Sequence, residues 1–327
     1  MAGVEQRKVD EDETGMRLDR WFKSHYPGLA FGKLQKLLRS GQIRVDGGRV
    51  KSDTRVQPGQ VIRIPPMGTD EKDAEADPEK RHRGQSADGE MLSKMLIYED
   101  PKVFVFNKPS GLAVQGGSGL SRHVDQMLES WRNRKGEKPR LVHRLDRDTS
   151  GVLVVARTRG AAQALTKAFR ESDTKKIYWA LVKGVPARPE GRISTWLVKE
   201  ATEDGDRMRV CAHGVKGADH AVSNFRIIER AGQDLSWLEL EPYTGRTHQL
   251  RVHAAYMDCP ILGDSKYFEE DHNWDFPGGM QKRLHLHARS ISIPHPDGGS
   301  RIEVTAPMPQ HMVQSWNLIG FDRELQE

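Results

Sequence analysis

The chain has 327 residues, 36% of them hydrophobic, and a formal net charge of +5. This length is sufficient for two domains, and no apolar run approaches the roughly 20 residues that a membrane-spanning helix needs. The acidic N-terminal segment is typical of neither a signal peptide nor a transit peptide. The two cysteines exclude a disulfide framework and a cysteine-rich zinc site. Together these features predict a cytoplasmic protein.

The positive charge is concentrated near the N-terminus, where residues 17–65 contain eleven Lys or Arg residues and only three acidic ones. Apolar spacing in this block predicts a helix from Leu18 and a second helix over 31–38 that stops at Gly41. Short strands are predicted at 42–45, 49–51 and 61–64. A compact basic block of this kind indicates a polyanionic partner.

The basic block resembles the S-four-type RNA-binding domain in three stretches, RLDRWF (17–22), LQKLLRSGQIRVDGGRV (34–50) and PGQVIRI (58–64). The resemblance implies a small α/β domain over residues 16–65 with one cationic face that contacts RNA. The residues assigned to this contact are Arg17, Arg20, Lys33, Lys36, Arg39 and Arg44. The alternative interpretation of the same charges is a solvated basic surface without a nucleic-acid partner.

Residues 66–90 contain eight acidic residues and four Lys or Arg residues, and no Ile, Leu, Val, Phe, Tyr or Trp. Such a segment buries too little apolar area to offset its ordering entropy, which predicts a flexible linker. The predicted organisation is therefore an N-terminal tail over 1–15, the basic domain over 16–65, this linker, and a large domain over 91–320.

The large domain reads as several strands with few helices between them, in an order that does not alternate regularly. This order predicts an α+β domain built on a large mixed, mostly antiparallel sheet with flanking helices. The predicted strands are 103–107, 152–156, 177–182, 236–241 and 291–294. The predicted helices are 159–171 and 248–257, the second with Thr247 as its N-cap.

Three polar motifs interrupt this apolar pattern. The first, HRLDRDTSG over 143–151, precedes a strand that is apolar on both faces, and its charges read either as a paired turn or as a site at the edge of the sheet. The second is Tyr178 on a central strand, either a core tyrosine or one that faces a ligand. The third, TGRTHQLRVH over 244–253, places Arg251 where it can reach a buried carboxylate.

Several other kinds of site have no support in the sequence. The glycine-rich loops that bind dinucleotides or nucleoside triphosphates are absent, and so is the catalytic-loop motif of protein kinases. The histidines are not spaced as a metal site, so no metal is predicted. The only glycine-rich stretch, over 116–119, has the wrong spacing for the methyl-donor loop of a methyltransferase.

Taken together, the motifs of the large domain resemble the RluA-type pseudouridine synthases. The matching segments are NKPSGL (107–112), HRLDRDTSG (143–151), KKIYWALVKG (175–184), TGRTHQLRVH (244–253), PILGD (260–264) and LHLHA (284–288). They cover about residues 90–320, and an S-four-type domain in the same position is also a feature of this family. The resemblance implies the pseudouridine synthase fold and the isomerisation of uridine in RNA, without a cofactor.

The resemblance also assigns roles to individual residues. Asp146 matches the catalytic aspartate, which acts either as a nucleophile or as a base on the ribose, and Arg251 matches the arginine that pairs with it. Tyr178 matches the tyrosine that packs on the target base and is a candidate general base. Arg144 matches a residue that enters the RNA stack when the uridine is flipped out. Lys108 and Arg246 are assigned to phosphate contacts, with a solvated or ion-paired role as the alternative.

The predicted substrate is large-subunit ribosomal RNA, because the fused basic domain and the overall length are similar to the RluC and RluD branches of the family. Transfer RNA is the alternative substrate. A non-catalytic RNA-binding protein in ribosome assembly is a second alternative, although it is disfavoured because Asp146 and the residues expected beside it are all present. A monomer is expected by default.

Overall fold

The protein is described from a computed structural model, which covers residues 4–10, 13–26, 29–66, 78–116, 122–133, 136–171, 173–202, 206–268 and 278–322. The chain divides into two compact units, Met1–His82 and Arg83–Glu327. No helix in these ranges is long and apolar enough to cross a membrane.

The small unit combines two helices with a three-stranded antiparallel sheet. The helices are α1 (Leu18–His25) and α2 (Phe31–Arg39), and the strands are β1 (Glu5–Lys8), β2 (Arg44–Val45) and β3 (Val61–Ile64), in the order β1-β3-β2. Its core contains Leu18, Trp21, Phe22, Leu34, Leu38, Ile43, Val56, Ile62 and Ile64. Gly41 has φ +69°, the left-handed conformation that favours glycine after a helix. The two predicted helices and the last predicted strand are confirmed.

Two expectations for this unit need correction. Strand β1 lies in the predicted tail and pairs with β3 through backbone hydrogen bonds, which its polar sequence EQRK does not indicate. The predicted return strand 49–51 does not form, because the hairpin closes immediately, with the Val45 amide donating to the Gly48 carbonyl.

The predicted linker 66–90 lies partly outside the described residues, since 67–77 are not described. Its second half belongs to helix α3 (Pro78–Met95), where the sequence predicted no element. Two apolar residues near the end of this helix, Leu92 and Met95, are buried in the core of the large unit. These two residues lie just after segment 66–90, which contains no Ile, Leu, Val, Phe, Tyr or Trp, and they attach the helix to the core.

The large unit is built on one mixed sheet, which has eleven strands in the described part of the chain. In chain order the strands are β4 (Leu96–Glu99), β5 (Val103–Lys108), β6 (Arg140–Leu141), β7 (Ser150–Ala156), β8 (Lys175–Lys183), β9 (Glu190–Glu200), β10 (Arg207–Cys211), β11 (Asp219–Ala231), β12 (Leu235–Pro242), β13 (Leu286–Pro294) and β14 (Arg301–Thr305). The spatial order is β10-β9-β11-β12-β8-β13-β7-β5-β4, with β14 beside β13 and β6 beside β7. The predicted α+β fold is confirmed.

Helices cover both faces of this sheet. They are α4 (Val124–Met127), α5 (Arg159–Arg170), α6 (Gln249–Tyr256) and α7 (Gln310–Ile319), and a 3-10 turn over Leu128–Trp131 follows α4. Helix α5 packs its Ala161 and Leu165 against one face of β7, and α4 packs on the other. On the β8 side of the sheet, α6 covers one face and α7 the other. Both predicted helices of the large domain are confirmed, within one residue at each end.

The two halves of the large sheet meet at a short parallel pairing between β7 and β13, which we call the seam. It consists of the pairs Ser150–His287 and Gly151–Ala288, and the Ser150 hydroxyl lies 2.9 Å from His287 Nδ1. Gly151 has φ +110°, and a Cβ atom there would lie 2.2 Å from the Ala288 carbonyl oxygen. Only glycine allows the two backbones to come this close. Their pairing fixes the end of the loop that precedes β7.

Replacing Gly151 with alanine should therefore separate the seam and lower the free energy of unfolding by roughly 3–5 kcal/mol. Gly160→Ala is the matched control, because Gly160 lies in helix α5 with nothing within 4 Å of its added Cβ, and it should be neutral or stabilising by about 0.5–1 kcal/mol. Urea unfolding of both variants gives the comparison. Equal stabilities would contradict the close approach.

Candidate active site

The loop over residues 142–149, which carries the first motif, is held to the sheet at several points. His143 Nε2 accepts a hydrogen bond of 2.8 Å from the Val154 amide, and its ring stacks on Phe169 at 4.4 Å. Burial lowers the pKa of His143 to about 3, so this side chain remains neutral. Leu145 is buried in the core beneath the loop. The loop is therefore anchored on the N-terminal side of Asp146.

Lys108 provides the strongest of these anchors, and its predicted phosphate contact is wrong. The side chain is fully buried, and Nζ donates hydrogen bonds of 2.8–2.9 Å to the carbonyls of Pro109, Leu112 and Arg147. Burial lowers the pKa of Lys108 to about 7, an effect that Asp148 and Asp146 oppose. The ammonium group uses all three of its N–H bonds in joining two loops, which leaves none to bind RNA.

Asp146 is the one carboxylate that lines the cavity above the sheet, within the described residues. Its side chain is 19% exposed, and Oδ2 lies 3.8 Å from Arg251 Nη1 and 4.0 Å from His248 Nε2. Neither distance is a hydrogen bond, and no other described group donates one to this carboxylate. Both oxygens are therefore available to a ligand, and the guanidinium of Arg251 places a positive charge beside them.

Arg251 lies on α6 and binds a second carboxylate more tightly than it contacts Asp146. Its Nε and Nη2 donate to the two oxygens of Asp264 at 2.7 and 2.6 Å, and the Asp264 side chain is fully buried. Burial alone would lower the pKa of Arg251, but the Asp264 hydrogen bonds and charge raise it. The sequence predicted a buried carboxylate as the partner of Arg251. The carboxylate that it hydrogen-bonds is Asp264, and Asp146 is a more distant second contact.

Sequence reasoning did not assign a role to Asp264. A signal was present, because this aspartate ends the apolar run PIL-Gly-Asp, where an unpaired charge would be costly. Nothing in the spacing of residues 251 and 264 predicts their contact. It depends on the turn at Gly263, which has φ +72° and whose added Cβ would lie 2.0 Å from the Arg283 carbonyl oxygen.

Tyr178 lies on β8 on the same side of the sheet as Asp146. Its ring packs against the cores below α4 and α6 and also lines the cavity. Burial, together with the charge of Asp146, raises the pKa of Tyr178 well above its usual range. The hydroxyl makes no hydrogen bond to any described group, which favours the interpretation that it faces a ligand.

The cavity that these residues share has a volume of about 500 Å³ and opens to solvent. Two of the predicted RNA-contacting residues, Arg144 and Arg246, line it as well. Arg144 is exposed, whereas Arg246 donates to the His220 carbonyl at 3.1 Å and lies 3.7 Å from Asp219. The structure therefore brings Asp146, Tyr178, Arg251, Arg144 and Arg246 together and leaves Lys108 beneath the loop.

The predicted N-cap of α6 is wrong by one residue. Residue His248, not Thr247, occupies this position, with φ +53° and without a side-chain cap. The chain turns sharply here and directs the His248 side chain towards Asp146. A threonine before an apolar run is a good N-cap signal, but the turn that forms the cavity wall overrides it.

The basic residues predicted to contact RNA in the small unit have different surroundings. Arg20, Lys36 and Arg39 are exposed. Arg17 pairs with Asp19 at 2.7 Å, and Arg44 donates to the carbonyls of Gly41 and Gly47. Lys33 is partly buried. The exposed members of the set carry the charge that is most available to a polyanion.

The side chains that line the cavity indicate a class of protein. A carboxylate that has no hydrogen-bond partner in the described part of the chain lies beside a buried guanidinium and a partly buried tyrosine. The cavity they share has room for a nucleoside and has arginines along it. This arrangement is suited to acid–base or nucleophilic chemistry on a ligand with phosphates attached, as in an enzyme that acts on RNA.

Comparison with known proteins identifies the family. The RNA pseudouridylate synthase family matches residues 102–256. The Vibrio cholerae protein "Ribosomal large subunit pseudouridine synthase C" is 34% identical over 94% of this chain and 94% of its own length. The Escherichia coli protein of that name is 35% identical over 92% of each chain, and "RNA pseudouridine synthase 4, mitochondrial" of Arabidopsis thaliana is 35% identical over 95% of this chain and 81% of its own.

A solved structure supports the same assignment. "Human RNA Pseudouridylate Synthase Domain Containing 4" superposes with a TM-score of 0.61 and 27% sequence identity over 73% of this chain and 98% of that one. The chain belongs to the RluA-type family of RNA pseudouridine synthases. It is therefore an enzyme that isomerises uridine in RNA to pseudouridine.

Replacing Asp264 with asparagine should test the role of the buried pair. The change leaves the charge of Arg251 without its main partner, which should lower the free energy of unfolding by roughly 3–5 kcal/mol and reduce turnover in the folded fraction. Asp219→Asn is the control, because Asp219 is 62% exposed and pairs only loosely with Arg246; it should stay within about 0.5 kcal/mol of the parent. Urea unfolding and turnover of pseudouridine formation check both effects.

Proposed function

We propose that the protein modifies one or more uridines of large-subunit ribosomal RNA and that Asp146 is its catalytic aspartate. The relatives above that carry the name "Ribosomal large subunit pseudouridine synthase C" match nearly the whole of this chain, the basic small unit included, and this supports ribosomal over transfer RNA. A cytoplasmic location and a monomeric state belong to the same proposal. The observation that carries the catalytic assignment is the position of Asp146, whose carboxylate lines the cavity beside Arg251 and Tyr178 and has no hydrogen-bond partner among the described residues.

In the proposed reaction the target uridine leaves the RNA stack and enters the cavity, at a cost of a few kcal/mol. Arg144, exposed at the loop, occupies the space that the base vacates. Asp146 then acts on the ribose, either by attack at C1′ or by removal of a proton, while the bond from C1′ to N1 of uracil breaks. Arg251 acts on this carboxylate through its charge and, because Asp264 fixes its position, needs no reorganisation to do so.

After the uracil has turned, its C5 joins C1′; in the nucleophilic alternative this step breaks the bond between C1′ and Asp146 and releases the carboxylate. The proton on C5 must then leave. Tyr178 is the proposed group for this step. Because its pKa lies well above the usual range, the phenol is protonated at neutral pH. It therefore relays the proton, accepting one from C5 as it releases its own to water, which reaches the open cavity, rather than starting as a phenolate base.

Asp146→Asn should abolish product formation, with a loss of at least about 10³-fold in turnover, and leave RNA affinity within a few-fold. The measurement is the release of tritium to water from RNA labelled at C5 of uridine, followed by mapping of the modified position. Asp148→Asn, two residues along and exposed, is the matched control and should retain most of the activity. Full activity in Asp146→Asn would refute the catalytic assignment.

We also propose that the small unit is an S-four-type RNA-binding domain whose contribution to affinity is mainly electrostatic. Its helices and strands follow the order that the sequence resemblance implies, and Arg20, Lys36 and Arg39 are exposed on it. Contacts to a single nucleoside in the cavity cannot select one uridine among the many in a long RNA. A second, tethered contact raises the effective concentration of the site near its target.

Converting Arg20, Lys36 and Arg39 together to glutamine should weaken RNA binding and flatten its dependence on salt. Every side chain that ceases to neutralise a phosphate should reduce the slope of log K against log salt by about 0.9. A triple variant with the same change of charge, at the exposed Lys167, Lys199 and Lys216 of the large unit, should keep the parent slope. Identical slopes for both triple variants would rule out the proposed binding surface.

A further inference from the structure

His248 has a backbone conformation that few non-glycine residues adopt. Its φ is +53°, and among the described residues only Asp46 and Asp258 share a positive φ without being glycine. Histidine, like asparagine and aspartate, adopts this region more often than most non-glycine residues, although it remains uncommon there. Residues in sparsely populated backbone regions persist where the surrounding structure imposes the conformation, and they are concentrated at functional sites. The position of His248 at the cavity wall therefore suggests a role for its imidazole.

The hydrogen bonds of Tyr267 determine which nitrogen of His248 carries the proton. The Tyr267 oxygen accepts a hydrogen bond of 2.8 Å from the Met208 amide and lies 2.8 Å from His248 Nδ1. Because one side of this oxygen already accepts, its own hydrogen is the natural donor to Nδ1. The imidazole proton then resides on Nε2.

The charge of His248 follows from its surroundings. Burial lowers the pKa of His248 below its usual value, Arg251 and Lys266 lower it further, and Asp146 and Asp264 oppose the shift. The imidazole is therefore neutral at physiological pH, with one N–H bond on Nε2. This N–H is a hydrogen-bond donor at the wall of the cavity, on the side of Asp146.

The distance from Nε2 to Asp146 Oδ2 is 4.0 Å. This distance is too long for a direct hydrogen bond, yet a single oxygen atom placed roughly 2.7–3.0 Å from each group bridges it. The bridging atom must accept from an N–H and donate to a carboxylate. The 2′-hydroxyl of ribose does both, and it is the group that distinguishes RNA from DNA.

We propose that His248 and Asp146 together bind the 2′-hydroxyl of the target uridine. His248 Nε2–H donates to the 2′-oxygen, and the hydroxyl donates to Asp146 Oδ2, which leaves Oδ1 directed at the adjacent C1′. His248 is thus a specificity-determining and positioning residue for the reaction. The inference depends on the proposed role of Asp146 and extends it.

The test combines changes in the RNA with changes in the enzyme. The probe is a synthetic RNA segment that carries the mapped uridine, with the target nucleotide as uridine, 2′-deoxyuridine or 2′-fluoro-2′-deoxyuridine. The fluorinated sugar retains the ribose-like pucker but has no hydrogen to donate. For the parent enzyme, kcat/KM should fall about 10- to 100-fold with either substitution.

In His248→Leu the preference for uridine over 2′-deoxyuridine should fall about ten-fold from the parent value, because the donor to the 2′-oxygen is gone, although Asp146 still accepts from the hydroxyl. His248→Gln, which places an amide N–H at a similar reach, should restore part of the preference. His213→Gln removes an exposed histidine outside the cavity and should keep the parent ratio. Tyr267→Phe removes the bond to Nδ1 without touching the substrate, and should lower the ratio to an intermediate value.

A parent-like ratio in both His248→Leu and Tyr267→Phe would overturn the inference, and if His248→Leu does not fold, the ratio in Tyr267→Phe decides. Failure of the wider proposal has a different signature. If the parent enzyme forms no pseudouridine in the uridine-containing RNA, the substrate assignment is wrong. If Asp146→Asn retains full activity, the catalytic assignment is wrong whatever the sugar preference.

Discussion

Two short hydrogen bonds from Arg251 to Asp264 place a full positive charge beneath the cavity without neutralising Asp146. A lone arginine at this depth would be too costly to bury, and an arginine paired directly with Asp146 would occupy the carboxylate that the chemistry needs. The second aspartate removes this conflict, because it satisfies the geometry of the guanidinium while leaving Nη1 directed at Oδ2 of Asp146. The long contact to Asp146 and the short contact to Asp264 are therefore both required.

The same separation of tasks extends to the loop that carries Asp146. Lys108 is a cation that never meets the substrate, and its ammonium group binds three backbone carbonyls instead. Leu145 enters the core on one side of Asp146, and on the other the Arg147 carbonyl is held by Lys108. Rigid support on both sides is what allows a carboxylate to remain without hydrogen bonds of its own and still point in one direction.

Sequence patterns predicted five strands and two helices of the large unit correctly, since runs such as VLVVA over 152–156 allow few alternatives. They left out other elements, including the long strands β9 and β11. They predicted the location of Asp146, Tyr178 and Arg251 only through family resemblance. Lys108 shows the limit of this reasoning, because a lysine beside a turn reads as a surface cation until its burial is known. Strand β1 was missed because it is stabilised by pairing with β3 rather than by apolar side chains of its own. Helix α3 was missed because its buried residues Leu92 and Met95 lie just beyond the charged segment 66–90.

At His248 the N-cap preference of the sequence fails, and this position lies in the wall of the candidate active site. Sequence signals favoured Thr247 as the start of α6, and the chain instead adopts a left-handed residue one position later. Locally inconsistent residues of this kind are found at functional sites, where the rest of the fold compensates for them. The difference between the predicted and the observed N-cap thus marks a residue whose side chain points towards Asp146.

The seam between β7 and β13 has a consequence for the order of events on the ribosome. Ser150 and Gly151 are synthesised early, whereas their partners His287 and Ala288 emerge on the order of ten seconds later at ordinary rates of translation. Arg251 and Asp264 also follow the Asp146 loop. A nascent chain that has not reached His287 contains the basic small unit and the Asp146 loop, but its catalytic centre is not yet assembled. Activity thus requires that synthesis has passed His287 and Ala288.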